Sequence, residues 1–182
     1  MRIVSGSHRS RRITPPNGLP VRPTTDLAKE SLFNILNNRI DFGEISVLDL
    51  FSGTGNISYE FASRGAREIL SVEFNPKCSA FIEKSIEALG FNMMKVVRTN
   101  VFTLLPIISR QFDLIFADPP FESEDIDKLP DLIFSNKLLA PEGWLVIEHP
   151  RNVKFQNHPN FTEQRQYGKV NFTFFRNMED QS

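Results

Sequence analysis

The chain has 182 residues, 40% of them hydrophobic, which is enough for one domain whose core buries about 70% of the unfolded surface. Its single cysteine, Cys78, excludes an internal disulfide and a metal site built from cysteines. No apolar run approaches the roughly 20 residues of a membrane-spanning helix, and residues 1–12 contain no signal-peptide core. We therefore expect a cytoplasmic protein that does not bind a membrane.

The formal net charge of −1 conceals an uneven distribution along the chain. Residues 1–25 carry +5 from five arginines and contain no acid, residues 151–176 carry +4, and residues 26–150 carry −8. A basic segment joined to an acidic body indicates that a polyanion binds at one region, although a solvated, flexible N-terminus is the alternative. We predict a basic arm or hairpin over residues 1–25 and a single domain over residues 26–182. The candidate residues of the arm for binding a polyanion are Arg2, Arg9, Arg11, Arg12 and Arg22.

From residue 26 onward, short apolar runs alternate with helical patterns, which is typical of a parallel sheet flanked by helices. In chain order, the patterns predict a helix at 28–36, a strand at 45–50, a helix at 57–63, a strand at 68–73, a helix at 76–89, a strand at 95–98, a helix at 101–108, a strand at 112–117, a helix at 126–135 and a strand at 144–148. Two further runs, one ending at Tyr167 and one at 170–175, flank Gly168-Lys169, which predicts a hairpin. The sequence therefore predicts an α/β fold.

A glycine-containing loop, in the run Asp49-Leu50-Phe51-Ser52-Gly53-Thr54-Gly55, follows the first predicted strand. Glycine lets the backbone approach a ligand closely, and the start of the next helix favours electron-rich groups. A nicotinamide dinucleotide site would carry a third glycine where Ser58 stands, and Asp49 would repel a pyrophosphate but attract a cationic ligand. Glu73, which ends the second predicted strand, can accept hydrogen bonds from both hydroxyls of a ribose. The alternatives are a loop-capping acid for Asp49 and a solvent-facing strand end for Glu73.

The run Asp118-Pro119-Pro120-Phe121 directly follows the strand predicted at 112–117, at the end of a parallel strand where ligands bind in such sheets. An amine conjugated to a π-system is a poor nucleophile because its lone pair is delocalised. The Asp118 carboxylate and the Pro119 carbonyl can accept its two N–H bonds and favour the pyramidal, more basic nitrogen. The two prolines hold these acceptors rigidly. Phe121 can stack on a planar base, which contributes ~1–3 kcal/mol. An ordinary proline turn is the alternative.

We predict no metal site. The three histidines, His8, His149 and His158, are scattered along the chain without the spacing of a metal-binding motif or a catalytic triad. Structural or surface roles are the better interpretation for them.

These motifs, together with runs over nearly the whole chain, resemble the bacterial 16S ribosomal RNA guanine-N2 methyltransferases that modify guanine 966. The likeness comprises the runs at residues 2–6, 9–12, 22–26, 30–34, 49–55, 118–121, 143–144 and 165–168. The run Arg22-Pro23-Thr24-Thr25-Asp26 is more discriminating than the glycine-containing loop, which all such methyltransferases share.

The resemblance implies a Rossmann-like class I methyltransferase, with a seven-stranded, mostly parallel sheet whose last strand is antiparallel and with a short basic N-terminal extension. It also implies S-adenosylmethionine as methyl donor and 16S ribosomal RNA or a small-subunit assembly intermediate as substrate; we expect a monomer. Asn100 stands where many relatives carry an acid near the adenine. The residues assigned to the cofactor site are Asp49, Phe51, Gly53, Thr54, Gly55, Glu73, Asn100, Val101 and Asp118. Those assigned to catalysis are Asp118, Pro119, Pro120 and Phe121.

Other functions remain open at this point. Methylation of an amine in DNA or of a protein glutamine is one, because an Asp-Pro-Pro-Phe loop suits any planar amine. The basic residues 1–25 and the small size of the chain, without a separate target-recognition domain, favour RNA. A non-catalytic RNA-binding factor for ribosome assembly is another, against which the intact Asp49, Glu73 and Asp118 argue. A nicotinamide dehydrogenase is disfavoured by Ser58 and by the lack of an acid or base suited to hydride transfer.

Overall fold

The computed structural model describes residues 1–19 and 24–177, which form a seven-stranded sheet covered by helices on both faces. The strands are β1 (Ser46–Leu50), β2 (Glu68–Val72), β3 (Met94–Val97), β4 (Phe112–Ala117), β5 (Leu139–Pro150), β6 (Phe161–Tyr167) and β7 (Val170–Arg176). The helices are α1 (Asp26–Leu36), α2 (Asn56–Ser63), α3 (Pro76–Leu89), α4 (Val101–Leu104) and α5 (Leu129–Ser135). Within the described ranges, no helix is long and apolar enough to cross a membrane.

The strands lie in the order β3-β2-β1-β4-β5-β7-β6. All neighbouring pairs from β3 to β5 are parallel, whereas β7 runs antiparallel to both β5 and β6. The turn Gly168-Lys169 joins β6 to β7, as the sequence predicts. The predicted mostly parallel sheet with an antiparallel last strand is therefore confirmed.

Side chains of the central strands alternate between two apolar layers. Val47, Leu114 and Val146 pack on the face covered by α1, α2 and α3. Their chain neighbours Leu48, Ile115 and Leu145 pack on the opposite face, with residues of α4 and α5. Since both faces are covered, these strands are almost continuously apolar in sequence. The same alternation places the carboxyl groups of Asp49, Asp118 and Glu148 toward the α1–α3 face.

Three predicted elements differ from the structure by three or more residues at one end. Strand β5 begins at Leu139, five residues before the predicted start, because Glu142 adopts a left-handed conformation (φ 60°) opposite a shift in the β4–β5 register. The helix predicted at 101–108 is α-helical only to Leu104 and then tightens into a 3-10 turn that contains Pro106. The helix predicted at 126–135 begins with a 3-10 turn, and α5 starts at Leu129.

Residues 1–13 fold back on themselves and pack against α2. Arg2 and Arg12 form an antiparallel bridge, and Ile3 is buried in the apolar layer of the α1–α3 face. Glu60 of α2 accepts hydrogen bonds from the amides of residues 4 and 5, at 2.8 and 3.0 Å. The N-terminal segment thus shares a core with the sheet, and a division of the chain at residue 25 stays a prediction.

Candidate functional site

The glycine-containing loop between β1 and α2 is fixed to the end of β2. The Ser52 amide donates to the Val72 carbonyl at 2.9 Å, and the Gly53 amide donates to Glu73 Oε2 at 2.7 Å. Gly55 has a φ of 82°, and a β-carbon there would lie 2.6 Å from the ring of Tyr59. Residue 55 must therefore be glycine for two reasons, its backbone conformation and the space available.

Glu73 and Phe74 form a surface suited to a nucleoside. The Glu73 carboxylate accepts from the amides of Gly53 and Asn75, both at 2.7 Å, and each oxygen retains lone-pair capacity for a ribose hydroxyl. The next residue, Phe74, is 71% exposed, a large fraction for a phenylalanine. An unpaired aromatic face beside such a carboxylate can stack on a purine. Phe74 was not among the residues predicted from the sequence, although its position directly after Glu73 was an available signal.

Asn100 and Val101 lie at the start of α4. The Asn100 side-chain oxygen caps this helix by accepting from the amides of Phe102 (2.8 Å) and Thr103 (3.3 Å). Its amide nitrogen remains available as a donor, whereas Val101 is buried. The Phe102 ring lies 6.0 Å from the Phe51 ring, which joins this corner to the glycine-containing loop. Contact of Asn100 or Val101 with a cofactor stays a prediction.

Asp49 is directed into the protein rather than toward the surface. It is 2% exposed, and its Oδ2 accepts from Ser58 Oγ at 2.5 Å. Burial raises the pKa of Asp49 to about 7, against the opposing hydrogen bonds from Ser58 and Ser52. Ser58, the residue that replaces the third glycine of a dinucleotide site, is thus the structural partner of this acid. Thr54 is also buried, and its hydroxyl donates to the sulfur of Met1 at 3.5 Å.

The loop after β4 presents two hydrogen-bond acceptors and an aromatic ring. The Asp118 amide donates to the Leu50 carbonyl at 3.3 Å, which places the loop beside the end of β1. The Pro120 carbonyl accepts from the Ser123 amide at 2.9 Å, whereas no backbone amide of the described residues donates to the Pro119 carbonyl. Phe121 is 45% exposed. The acceptor and stacking groups predicted for a planar amine are therefore available here.

Glu148 lies beside Asp118, a neighbour that the sequence analysis did not assign to the site. Ala117 of β4 pairs with Ile147 of β5, so the next residues, Asp118 and Glu148, lie side by side on one face. Thr24 Oγ1 donates to Glu148 Oε2 at 3.0 Å. Glu148 could have been found from the alternation of side chains along β5. It follows Val146 by two residues, so the two side chains lie on the same face of the sheet.

Asp49, Asp118 and Glu148 form an acidic cluster at the carboxyl edge of the sheet. Burial raises the pKa of Glu148 to about 7. The pKa of Asp118 is raised well above its usual value by burial and by the carboxylates of Glu148 and Asp49. Within residues 1–19 and 24–177, no lysine or arginine forms an ion pair with any of the three. A cationic ligand would favour their ionised forms, which suits a sulfonium compound.

A buried polar chain connects the N-terminal segment with this cluster. Lys29 Nζ lies 3.8 Å from Glu60 Oε2 and donates to Asn56 Oδ1 at 2.8 Å. The Asn56 amide nitrogen donates to the Thr24 carbonyl at 3.1 Å, and Thr24 in turn binds Glu148. Burial lowers the pKa of Lys29, against the opposing effect of Glu60. Lys29 was identifiable as a buried residue, because it occupies the same helical face as the apolar positions 32, 33 and 36.

The arginines proposed to bind RNA differ in their surroundings. Arg9, Arg11 and Arg12 are exposed. Arg2 is also exposed, but it forms an ion pair with Glu30 at 2.9 Å. Arg22 lies outside the described residues. The structure thus leaves three exposed arginines within four residues of the N-terminal segment.

The chain is similar in sequence and structure to several known proteins. The family model described as conserved hypothetical protein 95 matches residues 1–176. Ribosomal RNA small subunit methyltransferase D of Escherichia coli K12 is 30% identical over 148 residues, which cover 81% of this chain and 74% of that protein. The solved structure of the E. coli protein yhhF has a TM-score of 0.86 at 28% identity, over 97% of each chain.

An RNA methyltransferase of Salinibacter ruber, whose structure is a complex with S-adenosyl-L-homocysteine, shares the fold at a TM-score of 0.69 and 14% identity, over 87% of this chain and 95% of that one. The fold is therefore that of the class I methyltransferases. The chain belongs to the conserved hypothetical protein 95 family, the family of ribosomal RNA small subunit methyltransferase D that its sequence resembles.

Proposed function

We propose that this protein transfers the methyl group of S-adenosylmethionine to the exocyclic N2 amine of a guanine, position 966, in 16S ribosomal RNA. The observation that carries the proposal is the loop after β4. There Asp118 and the Pro119 carbonyl are available to accept the two N–H bonds of an amine, and Phe121 exposes a ring beside them. The surface formed by Glu73 and Phe74 lies at the same edge of the sheet.

The residues of this edge suit S-adenosylmethionine. Glu73 offers acceptors for the two ribose hydroxyls, and Phe74 offers a face for the adenine. The acidic cluster of Asp49, Asp118 and Glu148 favours a positively charged ligand. When bound, the cofactor supplies an electrophilic methyl group on a sulfonium.

In this mechanism, Asp118 and the Pro119 carbonyl hold the amine so that its lone pair is released from the aromatic ring. Such acceptors lower the barrier because their bonds strengthen as positive charge develops on the nitrogen. The methylated nitrogen must then lose one proton. The raised pKa of Asp118 makes its carboxylate a stronger base than that of an exposed aspartate, which suits it to accept that proton.

The choice of RNA as substrate rests on the relatives and on the arm. The E. coli relative is named for the ribosomal RNA of the small subunit. Arg9, Arg11 and Arg12 can contact phosphates and offset the few kcal/mol that moving a base out of its stack costs. Action on a small-subunit assembly intermediate, as a monomer in the cytoplasm, completes the proposal.

Mass spectrometry of 16S ribosomal RNA from a strain lacking the gene tests this function. We expect one N2-methylguanine to disappear, to return with the wild-type gene, and to stay absent with the Asp118→Ala variant expressed at the same level. An unchanged N2-methylguanine content would contradict the proposal. Loss of a methylated base in DNA, or of a methylated glutamine, would instead assign a different amine to the same site.

The role of the arm is tested through the salt dependence of RNA binding. Each phosphate neutralised on single-stranded RNA contributes about 0.7 to the slope of log K against log salt, so replacing Arg9, Arg11 and Arg12 together with alanine should flatten that slope by about 2. Affinity for S-adenosylmethionine should not change. A slope equal to that of the wild type would indicate that the exposed basic residues of the segment 151–176 contact the RNA instead.

A further inference from the structure

Three candidate hydrogen-bond acceptors belong to neighbouring residues at the carboxyl edge of the sheet, at the proposed substrate site. Two are the Asp118 carboxylate and the Pro119 carbonyl. The third is Glu148, which follows the paired Ala117 and Ile147 in the adjacent strand and therefore lies about 4.8 Å from Asp118 in backbone spacing. The first two satisfy an amine, so the third acceptor is available to another group of the base.

Thr24 fixes the orientation of Glu148. Its hydroxyl donates to Oε2 at 3.0 Å, and the hydrogen bond of its own carbonyl to Asn56 holds Thr24 in place. No hydrogen-bond donor to Glu148 Oε1 is found among the described residues. Glu148 is only 4% exposed, so water is excluded where the edge of a base contacts it. A base that places no donor at Oε1 would leave this oxygen without a hydrogen bond, because solvent cannot replace the missing donor.

Among the bases that carry an exocyclic amine, guanine differs in the ring nitrogen next to that amine. Guanine presents a donor, N1–H, whereas adenine and cytosine present an unprotonated ring nitrogen, which is an acceptor. Three acceptors in the protein match the N1–H and the two N2–H bonds of guanine. With adenine or cytosine, the lone pair of the ring nitrogen would face the Glu148 carboxylate and be repelled by it.

We propose that Glu148 is the specificity-determining residue of this site, and that it selects guanine by accepting the N1–H bond while Asp118 and the Pro119 carbonyl accept from N2. This inference rests on the proposed function and deepens it. Thr24 is a positioning residue, because its hydroxyl donates to Glu148. The donor N1–H also favours the ionised form of Glu148, whereas an adenine or cytosine ring nitrogen would require the protonated form.

The test uses an analogue that keeps the amine and loses the N1–H. 2-Aminopurine carries the same 2-amino group, but its N1 is an acceptor. Two 16S ribosomal RNAs, with guanosine or 2-aminopurine riboside at position 966, are made by splinted ligation and supplied both naked and loaded with small-subunit proteins. We expect wild-type kcat/KM to be at least about tenfold lower for 2-aminopurine, because a buried charged acceptor loses its donor.

The variant Glu148→Gln should reduce this preference by about fivefold or more, since its amide can donate to N1 of 2-aminopurine. The analogue also lacks O6, but that difference is present with both enzymes and cancels when their guanine-to-2-aminopurine ratios are compared. Thr24→Val should lower the ratio too, because Glu148 loses its orientation. It provides an independent variant if Glu148→Gln fails to fold. Asp113→Asn, a carboxylate change at the opposite edge of the sheet, should leave the ratio unchanged.

The outcomes separate the two proposals. If the wild type forms N2-methylguanine but methylates both RNAs equally well, or if the folded variants keep the wild-type ratio, the role of Glu148 is wrong and the proposed function stands. A purely structural role of Glu148 would slow both RNAs equally and leave the ratio unchanged. If the wild type forms no N2-methylguanine on either guanosine RNA, the proposed function itself fails.

Discussion

Acidic side chains at the two edges of the same sheet have opposite surroundings. At the amino edge, Glu68 receives two hydrogen bonds from Arg110, both 2.8 Å, which lower its pKa, and Asp113 accepts from Ser46 at 2.8 Å. At the carboxyl edge, Asp118 and Glu148 are raised in pKa by burial. The first arrangement satisfies each charge within the protein. The arrangement at the carboxyl edge destabilises the folded protein. Such an arrangement is expected where a ligand binds and interacts with the buried acids.

The strongest test of this contrast is Asp118→Ala. We expect kcat for methyl transfer to fall by about 10²–10³-fold, because an acceptor that acts mainly in the transition state is removed. Affinity for S-adenosylmethionine should fall much less than kcat, as measured by calorimetric titration, because Asp49 and Glu148 of the acidic cluster remain. Asp113→Ala, the matched change at the amino edge, should retain the wild-type kcat. Near-normal turnover in Asp118→Ala would exclude the loop after β4 as the site of chemistry.

The pH dependence of stability provides the second test. An acid with a raised pKa in the folded state makes folding most favourable below its unfolded pKa, and this contribution is lost as the pH rises toward the folded value. Glu148, with a reference pKa of 4.5 and a folded pKa of about 7, should therefore lower the stability of the ligand-free protein progressively between those pH values, and the full loss remains above pH 7.

Replacing Glu148 with glutamine removes this titration. The variant should gain stability relative to the wild type on going from pH 4 to pH 8, by at most about 3–4 kcal/mol, since one pKa unit corresponds to about 1.4 kcal/mol. Urea unfolding of both proteins at the two pH values measures the difference. An identical pH profile would mean that the carboxyl group is not desolvated in the folded protein.

The sequence predicted the parts of this contrast that depend on local patterns. Buried runs located β1, β2 and β4 to within a residue at each end, and they placed Glu73 and Asp118 directly after β2 and β4. The partnership of Thr24 with Glu148 joins residues 124 positions apart, and no local pattern contains it. Likewise, the early start of β5 depends on its register with β4, and Pro-Glu-Gly at 141–143 resembles a turn when considered alone.

Glu73 gives a smaller effect than Asp118 and a different one. Glu73→Gln should weaken cofactor binding by about 10–100-fold, because hydrogen bonds to a charged group contribute about 1.5–3 kcal/mol. It should change the chemical step less. Calorimetric titration gives the affinity, and single-turnover rates at saturating cofactor give the chemistry. An unchanged affinity would mean that the ribose is held by other residues.

The smallest effect is expected from Glu68→Gln at the amino edge. Its ion pair with Arg110 is substantially exposed, with 40% and 44% of the two side chains accessible, so its loss should cost at most about 1 kcal/mol at pH 7. The lowered pKa of Glu68 also predicts the direction in which its contribution to stability changes with pH. Its contribution is present above pH 4.5 and is lost as the pH falls through the folded value, which is opposite to Glu148. Urea unfolding should therefore show Glu68→Gln converging with the wild type at low pH. A stabilising effect of this variant at neutral pH would remove the distinction between paired acids at the amino edge and unpaired acids at the carboxyl edge.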